Sequence, residues 1–139
     1  MASASGAPPM QVVVTGATGF IGRHLVDALL RRGHRVSCVV RRASEIPPAL
    51  HAEPVVRIEI DDIAGDIDWA PRLQGVDAVV HLAARVHVMR ETAADPLESF
   101  RRVNVFGTQR LAEAAVAAGV RRFVYVSSIK VNGESTSDT

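Results

Sequence analysis

Cysteine occurs once, at Cys38, so the chain has no internal disulfide framework and a reducing cytoplasm is the expected setting. Lysine also occurs once, at Lys130, against fifteen arginines, a bias that fits genome composition better than function. Sixteen basic and fifteen acidic residues leave a net charge of +1, which gives no electrostatic case for nucleic acid or an acidic membrane. No apolar run approaches the roughly 20 residues that span a bilayer. The opening MASASGAPPM lacks a basic stretch and a long apolar core, so residues 1–10 are expected to be a flexible lead-in and not a secretory signal. Five histidines without paired acidic or cysteine spacing give no metal site. Tyrosine occurs once, at Tyr125, a scarcity that matters below. What remains is a chain of 139 residues, 47% hydrophobic and 22% charged, suited to one packed domain.

That domain is legible as alternating strands and helices. Val-rich runs at 11–15, 35–40, 55–60, 77–82 and 122–127 predict five strands. Between them, 20–32 carries Ile21, Leu25, Ala28 and Leu29 at helical spacing and stops at Gly33, and 96–118 runs from Pro96 to Gly119. Pro47 and Pro48 allow only a short helix in 43–53, and another short turn is expected at 69–74. Strands alternating with helices pair in parallel through right-handed crossovers. The expected fold class is α/β, a doubly wound parallel sheet of Rossmann type in the order 3-2-1-4-5. Residues 11–139 are expected to form a dinucleotide-binding domain that stops short of a sixth strand.

The densest signal is Val12-Val13-Val14-Thr15-Gly16-Ala17-Thr18-Gly19-Phe20-Ile21-Gly22, a β-branched strand entering three glycines and then a helix. Gly16 permits a sharp exit from the strand, Gly19 a close backbone approach to a diphosphate, and Gly22 tight packing of helix on sheet. Thr18 stands where the GxGxxG pattern has its middle glycine. The amides of Phe20 and Ile21 fall in the first helical turn, where N–H groups are free and the dipole favours anions. Arg23, not Lys, follows the last glycine, which excludes a P-loop. At the end of the second strand an acidic residue accepts from the ribose of NAD and an arginine accommodates the 2′-phosphate of NADP. Here Arg41 and Arg42 stand there, so NADP is the expected cofactor, with NAD the alternative.

TGATGFIG (15–22), HLAAR (81–85), VNVFGTQRLAEAA (103–115) and RRFVYVSSIKVNG (121–133) together resemble, in order, the extended short-chain dehydrogenase/reductase family. The likeness covers about residues 11–134 and is greatest to nucleotide-sugar epimerases, dehydratases and 4-ketoreductases. It implies that Asp62 and Ile63 contact the adenine, that Leu82, Ala83 and Ala84 border the cofactor, and that Asn104 supports a catalytic lysine through water. It further implies Ser128 as the catalytic hydroxyl that orients substrate, with Ser127 nearer the cofactor. Arg85, His87, Met89 and Arg90 are either substrate contacts or a solvated basic loop. His81 and Tyr125 are expected in the core. The family's proton carrier is the Tyr of a YxxxK pair. Tyr125 has Ile129 four residues on, so these residues do not carry the pair.

The resemblance therefore implies the N-terminal, cofactor-binding part of a longer cytoplasmic enzyme that moves a hydride at a sugar carbon of a nucleotide-linked substrate. These residues alone are expected to bind cofactor weakly and not to turn over. Two rivals stay open: a non-catalytic NAD(P)-binding sensor or scaffold, and a steroid- or flavonoid-type reductase. Neither nucleic acid nor membrane is an expected partner. A homodimer or self-association through uncovered apolar surface is.

Overall fold

The structure, a computed structural model, describes residues 8–42, 45–51, 54–86 and 94–133, the side chain of Ala49 excepted. Residues 1–7 of the expected lead-in, and His87, Met89 and Arg90, lie outside the described residues. Five strands form one parallel sheet: β1 (Gln11–Thr15), β2 (Arg35–Arg41), β3 (Val56–Ile60), β4 (Ala78–His81) and β5 (Arg122–Tyr125), in the order β3-β2-β1-β4-β5. The expected fold and strand order are those observed. β1 pairs β2 with Val13 opposite Ser37 and pairs β4 with Val13 opposite Val79, so β1 is central. Met10 already accepts the Arg35 N–H at 2.9 Å, so the sheet's bonding begins one residue before the expected boundary.

Side chains alternate across this sheet, and each face buries a different cluster. Val12, Val14, Cys38 and Val40 pack under helix α1 (Phe20–Arg31), which contributes Val26. Val13, Val39 and Val79 pack under α2 (Ala70–Leu73) and the long helical run, through Trp69, Leu73, Leu111 and Ala115. That run is α3 (Pro96–Arg101), a π turn (Arg102–Gly107) and α4 (Thr108–Ala117), end to end. Asp95 caps it by accepting the Glu98 N–H at 3.0 Å. The sequence predicts one helix over 96–118 and gives no sign of the π turn. A single widened turn does not alter a pattern of apolar residues enough to be read. No helix among the described residues is long and apolar enough to cross a membrane.

Tyr125 departs from expectation. It lies on the edge strand and is 48% exposed, as is Val124. β5 pairs with β4 along one edge and with no strand along the other among the described residues, while Phe123 packs against the core cluster.

Cys38, fully buried in β2, has its thiol pushed up to about 11 by burial. The thiolate is the reactive form, so iodoacetamide is expected to leave the native protein unmodified at pH 8 and to alkylate it once urea unfolds it. Native alkylation at the rate of a free thiol contradicts this packing.

Candidate dinucleotide site

The order β3-β2-β1-β4-β5 places a topological switch point between β1 and β4, because the chain leaves β1 toward β2 and returns to the other side at β4. In open α/β sheets ligands bind beyond the carboxyl ends of the strands at such a point. A cleft of about 560 Å³ lies there.

The glycine loop forms one wall. Gly16 leaves β1 at φ +68°, and a Cβ on it would stand 2.8 Å from both the Ala83 nitrogen and the Leu82 carbonyl carbon. Only glycine both takes that turn and lets the loop lie flush against the exit of β4. The loop closes on itself through the Gly19 N–H, which donates to the Gly16 carbonyl at 3.1 Å. Gly22 is tighter: its Cβ would lie 2.1 Å from the Gly16 oxygen. α1 therefore starts directly behind the loop. It has no acidic residue in its first turn, and no side chain caps it among the described residues. Its first N–H groups keep their hydrogen-bonding capacity and the positive end of the dipole, the requirements of a phosphate cradle.

The other walls come from the strand ends. Gly16, Thr18 and Gly19 line the cleft with Arg41 from β2, Asp62 and Ile63 beyond β3, and Leu82, Ala83 and Ala84 beyond β4. The Asp62 carboxylate accepts the Ala64 N–H at 2.9 Å and pairs with Arg102. Ile63 packs in the core beneath Gly107, where a Cβ would come within 3.2 Å of it. Thus the carboxylate is held at the rim and the helix runs close behind it.

Other expected residues lie elsewhere. Arg42 turns out to pair with Asp61 at 3.1 Å. Phe20 and Ile21 are exposed at the start of α1, with the Phe20 ring edge-on to His24. Asn104 sits on the π turn, and both ends of its amide engage Arg85: Oδ1 accepts the Arg85 N–H at 2.7 Å and Nδ2 donates to its carbonyl at 2.9 Å. Ser127 and Ser128 are exposed past β5 and do not line the cleft, and the Ser128 hydroxyl accepts the Lys130 N–H at 3.2 Å. Sequence reasoning missed Thr15, Val39, Val40 and Ile60 as lining residues. Thr15 and Ile60 end β1 and β3, and Val39 and Val40 stand just before the end of β2, so the predicted strand order already held the signal.

Thr15 and His81 are the polar residues buried at this crossing, both with no accessible surface. The expectation that His81 lies in the core agrees with its burial. Burial lowers its pKa to about 4, so the ring is neutral at pH 7.

A parallel sheet in this order, with a glycine-turned cradle at its switch point, defines a Rossmann-type domain. The chain belongs to the NAD dependent epimerase/dehydratase family, whose model matches residues 12–139. It is 41% identical over 129 residues to a UDP-glucose 4-epimerase of Vibrio cholerae, covering 92% of this chain and 38% of that protein. To a 3-beta-hydroxysteroid dehydrogenase of Mycolicibacterium neoaurum it is 39% identical over 125 residues, 87% of this chain and 32% of that protein. The solved structure of MoeE5 in complex with UDP-glucuronic acid and NAD superposes with a TM-score of 0.75 at 36% identity, covering 91% of this chain and 39% of that one. The chain thus spans well under half the length of these relatives.

Proposed function

We propose that this chain is the cofactor-binding part of an NAD(P)-dependent enzyme that acts on a nucleotide-linked sugar, and that it prefers NADPH. The observation that carries the reading is the switch-point cleft, with a glycine cradle on one wall and Arg41 on another. The residues fit a dinucleotide. A side chain at Gly16 or Gly22 would collide with the backbone that shapes the cradle, and the α1 amides suit a diphosphate. Small Ala83 and Ala84 leave room for a flat ring against the backbone. When bound, the nicotinamide supplies hydride donation and acceptance.

The chain's own residues bind and orient. Phe20 and Ile21 offer their amides to the diphosphate, and Arg41 takes the 2′-phosphate. Arg42 is paired with Asp61, which leaves Arg41 as the arginine of this turn that lines the cleft. Asp62 and Ile63 bound the adenine end, and Ser128, which lies past β5 outside the cleft, orients substrate through its hydroxyl. Proton transfer needs a Tyr and Lys pair that these residues do not carry.

Replacing Arg41 by Ala is expected to weaken NADPH binding about 10- to 100-fold, the worth of charge-assisted bonds to a phosphate, and to leave NADH binding unchanged. Fluorescence titration of both cofactors checks this. Wild-type protein that binds NADH as tightly as NADPH, or an Arg41→Ala variant that keeps its NADPH affinity, contradicts the preference. The likeness to a hydroxysteroid dehydrogenase favours a second reading, a steroid-type reductase with the same cofactor half. Assay of a full-length parent on nucleotide-4-ketosugars and on hydroxysteroids separates the two.

A further inference from the structure

Beneath the cleft lies a chain of buried and half-buried hydrogen bonds whose direction follows from counting donors and acceptors. Thr15 Oγ1 accepts the Ala83 N–H at 3.1 Å and shares the Leu82 N–H with the Thr15 carbonyl, each at 3.2 Å, so both of its lone pairs are engaged. Its own proton must then go to His81 Nδ1, 2.6 Å away. Nδ1 is therefore the acceptor, and a neutral ring carries its proton on Nε2. Nε2 meets Thr108 Oγ1 at 2.8 Å, and the Thr108 hydroxyl donates onward to the Asn104 carbonyl at 2.8 Å. The Thr108 N–H is turned to the Val105 carbonyl, so hydroxyl and amide serve different acceptors at the end of the π turn. Asn104 in turn clasps the Arg85 backbone. Every donor in the chain meets an acceptor, the Leu82 N–H two of them, and the arrangement has one consistent direction. The rings of Phe123 and Tyr125 lie against the imidazole from β5.

We propose that His81 is a positioning residue: its Nε2-protonated ring ties the Leu82–Ala83 wall of the cleft to Thr108 and Asn104, and so fixes that wall where a dinucleotide lies. His81 touches no reacting group. It acts through Thr15, whose hydroxyl holds two consecutive amides of the wall, while Asn104 holds the wall's far end at Arg85. A π turn is well suited to this task, because the residues that grip β4 and its exit, Asn104 and Thr108, sit within it and at its end. The proposal rests on the dinucleotide reading for its purpose, though not for its geometry.

Two measurements test it together. In protein with 15N-labelled histidine at pH 6.5, His81 is expected to show a pyridine-type Nδ1 and a pyrrole-type Nε2. A protonated Nδ1 or a charged ring overturns the proposal. Thr108→Val keeps the β-branched shape but removes the acceptor for Nε2–H. It is expected to shift the Leu82–Arg85 amide resonances and weaken NADPH binding about tenfold, and Thr108→Ser is expected to restore both. NADPH affinity in a folded Thr108→Val equal to wild type also overturns it. Wild-type protein that takes up no NADPH, yet shows the expected tautomer and displaced Leu82–Arg85 amides in Thr108→Val, defeats the cofactor reading and supports the link.

Discussion

Gly22→Ala is expected to be the most damaging single methyl group in this chain. The added Cβ would stand 2.1 Å from the Gly16 carbonyl oxygen and 2.7 Å from the Ala17 Cα, both backbone atoms with no freedom to swing aside. Either α1 withdraws from the sheet or the glycine loop moves. Overpacking of this kind costs about 3 kcal/mol, which for a domain of this size lowers Tm by roughly 10 °C. Moving the loop also takes the α1 amides off the phosphate position, so NADPH binding is expected to fall about 100-fold or more. Gly33→Ala is the comparison. Gly33 has φ +79° but a Cβ added there would meet nothing within 4 Å, so alanine brings left-handed strain alone. That costs about 1–2 kcal/mol and leaves the cleft, at the other end of α1, unchanged. Urea denaturation and NADPH titration of both variants check the contrast. Equal stability in the two, with wild-type binding in Gly22→Ala, contradicts the account of the loop.

The second large effect is acid destabilisation through His81. In the unfolded chain the imidazole titrates near its ordinary value of 6.5, whereas burial holds it at about 4 in the folded protein. Between those values the unfolded chain binds a proton that the folded chain does not. Stability is therefore complete above pH 6.5 and falls as pH drops toward 4, by roughly 3 kcal/mol at most. Protonation would also place a hydrogen on Nδ1 against the Thr15 hydroxyl that donates to it, so the charged ring breaks the buried chain of bonds as well. Asp77 acts in a different window. The Gln11 N–H and the Arg121 guanidinium hold its carboxyl below the usual 3.8, so its stabilisation is lost only at lower pH. Urea unfolding at pH 7 and pH 4.5, with the His81 ring followed by NMR, is expected to show the loss of stability and no titration of the ring above pH 5. A ring that titrates near 6.5 contradicts its burial.

Much of the site was legible because its residues are local in sequence. The glycine spacing of 16, 19 and 22 needs only a strand before it and a helix after it, and both were clear from Val12–Val14 and from the periodicity of Ile21, Leu25 and Leu29. Arg41 was legible for the same reason, as the end of a β-branched run. The buried link was not. Thr15 and His81 lie 66 residues apart, and His81 and Thr108 lie 27 apart, so their bonds exist only once β4 pairs with β1 and the long helix crosses above. Asn104 shows the same limit. Its position on the helix was evident, but its attachment to the Arg85 backbone depends on a π turn that leaves no periodic trace. The expected burial of Tyr125 failed for a related reason. The expected order already made β5 an edge, but the run from Phe123 to Val126 has the composition of a strand buried on both faces, and composition does not report that Val124, Tyr125 and Val126 stay exposed.

The central claim is that the cleft between the glycine loop and the exits of β2, β3 and β4 holds a dinucleotide. Titration of 15N-labelled protein with NADPH, followed by amide chemical shifts, tests it most directly. The account predicts saturating shifts at Gly16, Gly19, Phe20, Ile21, Arg41, Asp62 and Ala83. No shifts at millimolar NADPH, or shifts confined to the groove between α2 and α4 around Trp69 and Ala114, would contradict it.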